Sequence, residues 1–167
     1  MAEQSFKTDG VQYQFKASVL IPMFNEAETI RFVLNKVCKA LASISFEIIV
    51  VDDGSTDDSK KMVQQFQALH SKIPIHYIYQ ENQGKGGAIR AGIAQSSGEV
   101  LVVQDADLEY DPEDILALLT PFDEGTRVVY GSRNMNKENR EHSSLFFYWG
   151  GLLVTHVTNL LFGSKLT

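Results

Sequence analysis

Two aspartates separated by one small residue, Asp105 and Asp107, follow the apolar run "EVLVVQ". In an extended segment, residues two apart point to the same side, so these carboxylates repel each other unless a cation stands between them. A hard divalent ion, Mg2+ or Mn2+, suits the position, because it takes few carboxylates and completes its shell with phosphate oxygens. The competing reading is an acidic helix start, since anions favour helix N-termini. That reading accounts for Asp111 and Asp114, but Asp105 and Asp107 precede the helix by several residues.

Three other segments carry polar chemistry. In "DDGSTDD" (52–58), Gly54 permits a sharp turn and Ser55 or Thr56 can cap a helix. Asp52 and Asp53 are not needed for that turn, and a carboxylate here can accept from a nucleobase N–H or from ribose hydroxyls. "NQGKGGAIRAG" (82–92) puts glycines and Lys85 at a helix start, where backbone N–H groups and the helix dipole favour an anion. It is not a Walker A loop, since no Ser or Thr follows the Lys, and a plain glycine turn competes with the anion site. Arg133, in "YGSRN", can pair bidentately with phosphate oxygens or make a surface ion pair. The four histidines lack metal spacing, and no nucleophile elbow is present.

These loops need strands to hold them, and five apolar, β-rich runs precede them: 17–23, 46–52, 73–80, 99–104 and 127–131. Their cores, "SVLIP", "IIVV" and "VLVV", are continuously apolar, as in parallel strands covered on both faces. Helix-start signals lie between them: Asn25 with Glu28, Ser55 with Asp58, and Asp111 with Pro112 and Asp114. Alternating strands and helices predict right-handed βαβ units and a doubly wound α/β sheet. Such sheets bind ligands beyond the carboxyl ends of their strands, where all five polar loops fall.

The chain has 167 residues, 44% hydrophobic and 22% charged, which suits one domain with a real core. A formal net charge of −6 argues against a nucleic-acid partner. Cys38, the single cysteine, reads as a small buried apolar residue in a reducing compartment. The N-terminal "MAEQSFKTDG" lacks the features of a secretory signal. Residues 143–163 carry no Asp, Glu, Lys or Arg, and their length approaches the ~20 residues of a membrane span. Thr155, His156, Thr158, Asn159 and a Gly-Gly pair interrupt the run, so a buried or interfacial helix is expected instead.

In order and spacing, "SVLIPMFNEAETI", "EIIVVDDGSTDDS", "ENQGKGGAIRAGI", "GEVLVVQDADLEYDPEDI" and "VVYGSR" resemble the family 2 glycosyltransferases with the GT-A fold. The chain looks most like their dolichol-phosphate mannosyltransferase and polyprenyl-phosphate branch, over residues 18–133. The resemblance implies a GT-A α/β/α sandwich with a mostly parallel central sheet, and an inverting, metal-dependent transfer from a UDP- or GDP-sugar to a polyprenyl phosphate. It implies a nucleotide pocket lined by Pro22, Phe24, Glu26, Asp53, Lys85, Gly86, Asp105 and Ala106, with Asp53 on the base. It makes Asp105 and Asp107 the D-x-D pair holding Mg2+ or Mn2+, Asp107 the firmer ligand, and assigns Arg133 to phosphate, that of the lipid acceptor. It further implies work at the cytoplasmic face of a membrane, with the 143–163 helix meeting the surface. Relatives often carry Tyr where Phe24 stands, and they continue beyond "LFGSKLT", so 1–167 reads as one GT-A domain cut short at its C-terminus. The Q-x-x-R-W signature of processive polysaccharide synthases is absent. A saccharide acceptor in cell-surface polysaccharide synthesis, a nucleotide-sugar-binding module without turnover, and a nucleotidyltransferase are the alternatives.

Overall fold

A computed structural model describes residues 15–131 and 145–163, in two compact units, residues 1–127 and 128–167. In the first unit, β1 (Lys16–Met23), β2 (Ser45–Asp52), β3 (Ile75–Tyr79) and β4 (Val100–Val103) form a parallel sheet in the order β3-β2-β1-β4. The register runs Lys16 against Ser45, Ala17 against Val100 and Ile48 against Ile75. Helix α1 (Ile30–Ala40) links β1 to β2, α2 (Ser59–Leu69) links β2 to β3, and α3 (Lys85–Gln95) links β3 to β4. The α/β architecture expected from the alternating pattern is present.

Alternating side chains of the central strands divide between two cores. Val19, Ile21, Ile48 and Val50 pack with Ile30, Val33, Leu34 and Val37 of α1 and with Val63 and Phe66 of α2. These helical positions recur every three or four residues, the spacing of one helix face. Leu20, Ile49 and Val51 turn to the other side and meet Ala88 of α3. Gly92 lets α3 approach closely, for a Cβ there would stand 3.3 Å from Leu20 Cδ2 and 3.4 Å from Val51 Cγ2. Cys38 is half-buried in α1, and burial pushes its thiol up to about 11.

Several expectations need correction. Residues 127–131 form no strand: they pair with no ladder, and Val128 and Tyr130 are exposed. β4 is covered on one face only, since Leu101 and Val103 are exposed while Val100 and Val102 are buried. Asn25 caps no helix; α1 starts after Thr29, and Asn25 takes a left-handed conformation with φ of 56°. Ser55 is no cap either, because its hydroxyl accepts the Asn25 N–H at 2.9 Å and α2 starts after Asp58. Tertiary partners outcompete the local cap in both loops. The third signal holds: the Asp111 carboxylate accepts the Glu113 N–H at 3.1 Å, ahead of a 3-10 turn (Pro112–Asp114) that leads into α4 (Ile115–Leu119).

In the second unit, α5 (Leu145–Phe162) falls within the predicted apolar helix. Leu153, Val154, Leu160 and Leu161 on it are exposed. No described helix is long and apolar enough to cross a membrane.

Candidate functional site

The strand order reverses beside β1: β2 continues into α2 on one side, while β4 enters by a crossover on the other. Such a switch point leaves a crevice at the strand ends. A cleft lies there, lined by Pro22, Met23, Phe24, Glu26, Asp53, Lys85, Ala88, Asp105, Ala106 and Asp107. It draws on the loops after β1, β2 and β4 and on the first turn of α3.

Asp53 is buried, and its backbone N–H donates to Met23 O at 2.8 Å, which ties the ends of β1 and β2 together. Its Oδ1 accepts from Gln80 Nε2 at 2.6 Å and from the Gln83 N–H at 2.9 Å. Among the described residues nothing donates to Asp53 Oδ2, yet that oxygen is not sealed from solvent, since no fully buried side-chain oxygen or nitrogen among them lacks a partner. One oxygen therefore holds the loops while the other is left for the cleft. Asp52 beside it is spent on structure: Oδ1 accepts the Ser55 N–H at 2.8 Å and Oδ2 the Tyr77 hydroxyl at 2.6 Å. Burial and the Asp52 carboxylate both push the Tyr77 hydroxyl well above its usual range.

The glycines around Lys85 admit this arrangement. Gly54, at φ of 86°, brings the β2 loop against Asn82, where a Cβ would stand 3.0 Å from the Asn82 nitrogen. A Cβ on Gly87 would stand 2.7 Å from Gln83 Cβ, in the loop that donates to Asp53. Lys85 opens α3, and its ammonium pairs with Asp105 Oδ1 at 2.5 Å.

Asp105 and Asp107 both line the cleft, but a bend at 106–110 turns them there, not the extended strand expected. Gln104, buried, donates through Nε2 to the carbonyls of Asp105 and Tyr110 at 3.1 and 3.2 Å and so closes that bend. Asp107 Oδ1 accepts the Glu109 N–H at 3.0 Å. Among the described residues no three His, Cys, Asp or Glu side chains cluster as a metal cage. The donor chemistry still fits Mg2+ or Mn2+, which take one or two carboxylates and leave the other positions to water and phosphate.

Of the residues singled out from sequence, the structure gathers Pro22, Phe24, Glu26, Asp53, Lys85, Asp105, Ala106 and Asp107 around one cleft. Gly86 does not line it; it sits exposed on the first turn of α3. Arg133 lies outside the described residues. Met23 and Ala88 were missed. Ala88 stands one turn after Lys85, so a helical reading of 85–88 carries the signal, whereas nothing in the residue type of Met23 does.

The family model described as glycosyl transferase family 2 matches residues 18–152. The chain is 36% identical over 126 residues to the undecaprenyl-phosphate 4-deoxy-4-formamido-L-arabinose transferase of Proteus mirabilis, covering 74% of this chain and 38% of that protein. It is 37% identical over 119 residues to the dolichol-phosphate mannosyltransferase of Pyrococcus furiosus, covering 71% and 33%. The chain thus spans little more than a third of the length of the curated relatives it matches. Among solved structures, the mannosyltransferase PcManGT of Pyrobaculum calidifontis, in complex with GDP-Man and Mn2+, superposes with a TM-score of 0.58 at 28% identity, over 63% of this chain and 31% of that one. Glucosyl-3-phosphoglycerate synthase of Mycobacterium tuberculosis, in complex with Mn2+, UDP and glucosyl-3-phosphoglycerate, gives a TM-score of 0.52 at 27% identity, over 65% and 40%.

Proposed function

The chain belongs to glycosyl transferase family 2, and on that premise we propose that it moves a sugar from a UDP- or GDP-sugar to a polyprenyl phosphate. One observation carries the reading: a single cleft at the strand-order switch point gathers Asp53, Lys85, Asp105 and Asp107. Asp53 Oδ2 accepts from the base, while Lys85 and the N-terminus of α3 attract the diphosphate. The relatives named for dolichol-phosphate and undecaprenyl-phosphate transfer support the lipid acceptor.

The reaction breaks the bond between the anomeric carbon and the β-phosphate oxygen, and the electron pair leaves on the nucleoside diphosphate. An acceptor phosphate oxygen forms the new bond from the opposite face, inverting the centre. That oxygen is already anionic, so the cleft needs no general base. Asp105 and Asp107 would hold a divalent metal, which would supply positive charge to offset that of the departing diphosphate. Solved neighbours with Mn2+ support this assignment. Arg133, in the "YGSR" motif, is assigned to the acceptor phosphate, and α5, which carries no Asp, Glu, Lys or Arg, to the cytoplasmic membrane surface.

The test is a donor panel: UDP- and GDP-sugars with Mn2+ or Mg2+, with and without undecaprenyl or dolichyl phosphate in detergent. Release of nucleoside diphosphate that depends on lipid phosphate is the expected result. Turnover with saccharide acceptors alone would overturn the lipid assignment, and pyrophosphate release would indicate nucleotidyl transfer.

A further inference from the structure

The strangest backbone in the cleft wall belongs to a residue that does not line it. Asn25 is the one non-glycine residue with positive φ among those described, and it sits between Phe24 and Glu26, which do line the cleft. Asparagine enters the left-handed region more readily than most side chains. What it gains there is a set of bonds to the next loop. The N–H groups of Asn25, Glu26 and Ala27 donate in succession to Ser55 Oγ at 2.9 Å, Ser59 Oγ at 2.8 Å and Asp57 Oδ2 at 3.1 Å. Asn25 Oδ1 returns the tie, accepting the Thr56 N–H at 2.8 Å. Asp57 Oδ1 in turn holds Ser59 through both its N–H, at 3.0 Å, and its hydroxyl, at 2.5 Å.

We propose that Asn25 is a positioning residue for the donor: with Ser55, Asp57 and Ser59 it clasps the β1 loop to the β2 loop. The clasp sets Phe24 and Glu26 at a fixed spacing from Asp53. This rests on the donor-binding reading of the cleft. The loop walls are built before the nucleotide arrives, so binding does not have to order them, and affinity rises accordingly. Asn25, Thr56 and Asp57 are exposed and stand outside both apolar cores, so the fold leans on them little.

The test measures GDP-mannose and UDP-glucose binding, each with Mn2+, by calorimetry on the full chain, beside its melting temperature. Asn25→Gly keeps the left-handed backbone and deletes the tie to Thr56; its affinity should fall about tenfold with little change in melting temperature. Asn25→Asp keeps an acceptor for the Thr56 N–H and should stay within about threefold of the unaltered protein. Ser55→Ala removes the acceptor of the Asn25 N–H and should weaken binding without touching the backbone of Asn25. Unchanged affinity in Asn25→Gly would overturn the clasp, and so would a loss that Asn25→Asp does not restore. If the unaltered protein binds neither donor, the donor reading itself falls and the clasp's role with it.

Discussion

Glu47 lies at the end of the sheet away from the cleft, and replacing it with Gln tests how the scaffold is held. Its side chain is only 3% exposed, yet it is ionised. Lys16 Nζ donates to Oε2 at 2.7 Å, Ser18 Oγ to Oε1 at 2.6 Å and the Ser97 N–H to Oε1 at 2.7 Å, with the Ser97 hydroxyl within 3.0 Å of both oxygens. Burial raises the carboxyl, but these donors outweigh it and bring it from 4.5 down to about 2. A folded-state pKa below the unfolded one adds stability above the unfolded value and loses it as pH falls through the folded one. Each unit is worth about 1.4 kcal/mol, so the carboxylate contributes about 3 kcal/mol at neutral pH, of which about 2 kcal/mol is gone by pH 3. Glu99 accepts the Lys16 N–H at 2.7 Å and is itself held low by that bond, but it is present in both proteins and cancels in the difference. Urea unfolding of the unaltered chain and Glu47→Gln, followed by far-UV circular dichroism at pH 6 and pH 3, should give a gap that shrinks by about 2 kcal/mol on acidification. A gap that is the same at both pH values would refute the reasoning, whatever its size.

Other changes bear on the cleft. Asp107→Asn should cut turnover by about a hundredfold or more while leaving the fold intact, read by donor hydrolysis and circular dichroism. Gly87→Ala places a Cβ 2.7 Å from Gln83 Cβ and should cost about 1–3 kcal/mol in urea unfolding. It should also weaken donor binding, because the Gln83 N–H is withdrawn from Asp53. Removal of divalent metal with EDTA should abolish the rise in melting temperature that a UDP- or GDP-sugar gives with Mn2+; an equal rise in EDTA would remove the metal role.

The scaffold was legible where burial alone decides it. "SVLIP" and "IIVV" are apolar on both faces because α1 and α2 cover one side and α3 the other, and both emerged as parallel strands. "VLVV" reads the same way but belongs to an edge strand with one open face, a distinction that periodicity does not carry. The run 127–131 has strand composition, and composition supplies no partner strand. The two capping boxes failed for a related reason: Asn25 and Ser55 satisfy the cap pattern locally, but they bond each other across thirty residues of chain. In the cleft, loop position and the family resemblance together picked out eight lining residues. The Lys85–Asp105 pair, twenty residues apart in sequence, and the hold of Gln104 on its own loop were invisible to either.

α3 connects two acidic centres that differ in one physical respect. An ionised carboxylate has about four acceptor positions. Past the C-terminal end of α3, Glu47 fills its positions with four donor groups, and nothing is left for a ligand. At the N-terminal end, Asp105 takes one ammonium and Asp107 one backbone N–H. Among the described residues, nothing else bonds either carboxylate. Both types read alike in sequence, as acid beside an apolar strand. Their unspent acceptor capacity separates them: Glu47, which serves the scaffold, is saturated from within, whereas Asp105 and Asp107, which we propose hold a cation, are not. Asp53 stands between the two, with one oxygen saturated by Gln80 and Gln83 and the other open, which agrees with the base contact we propose for it.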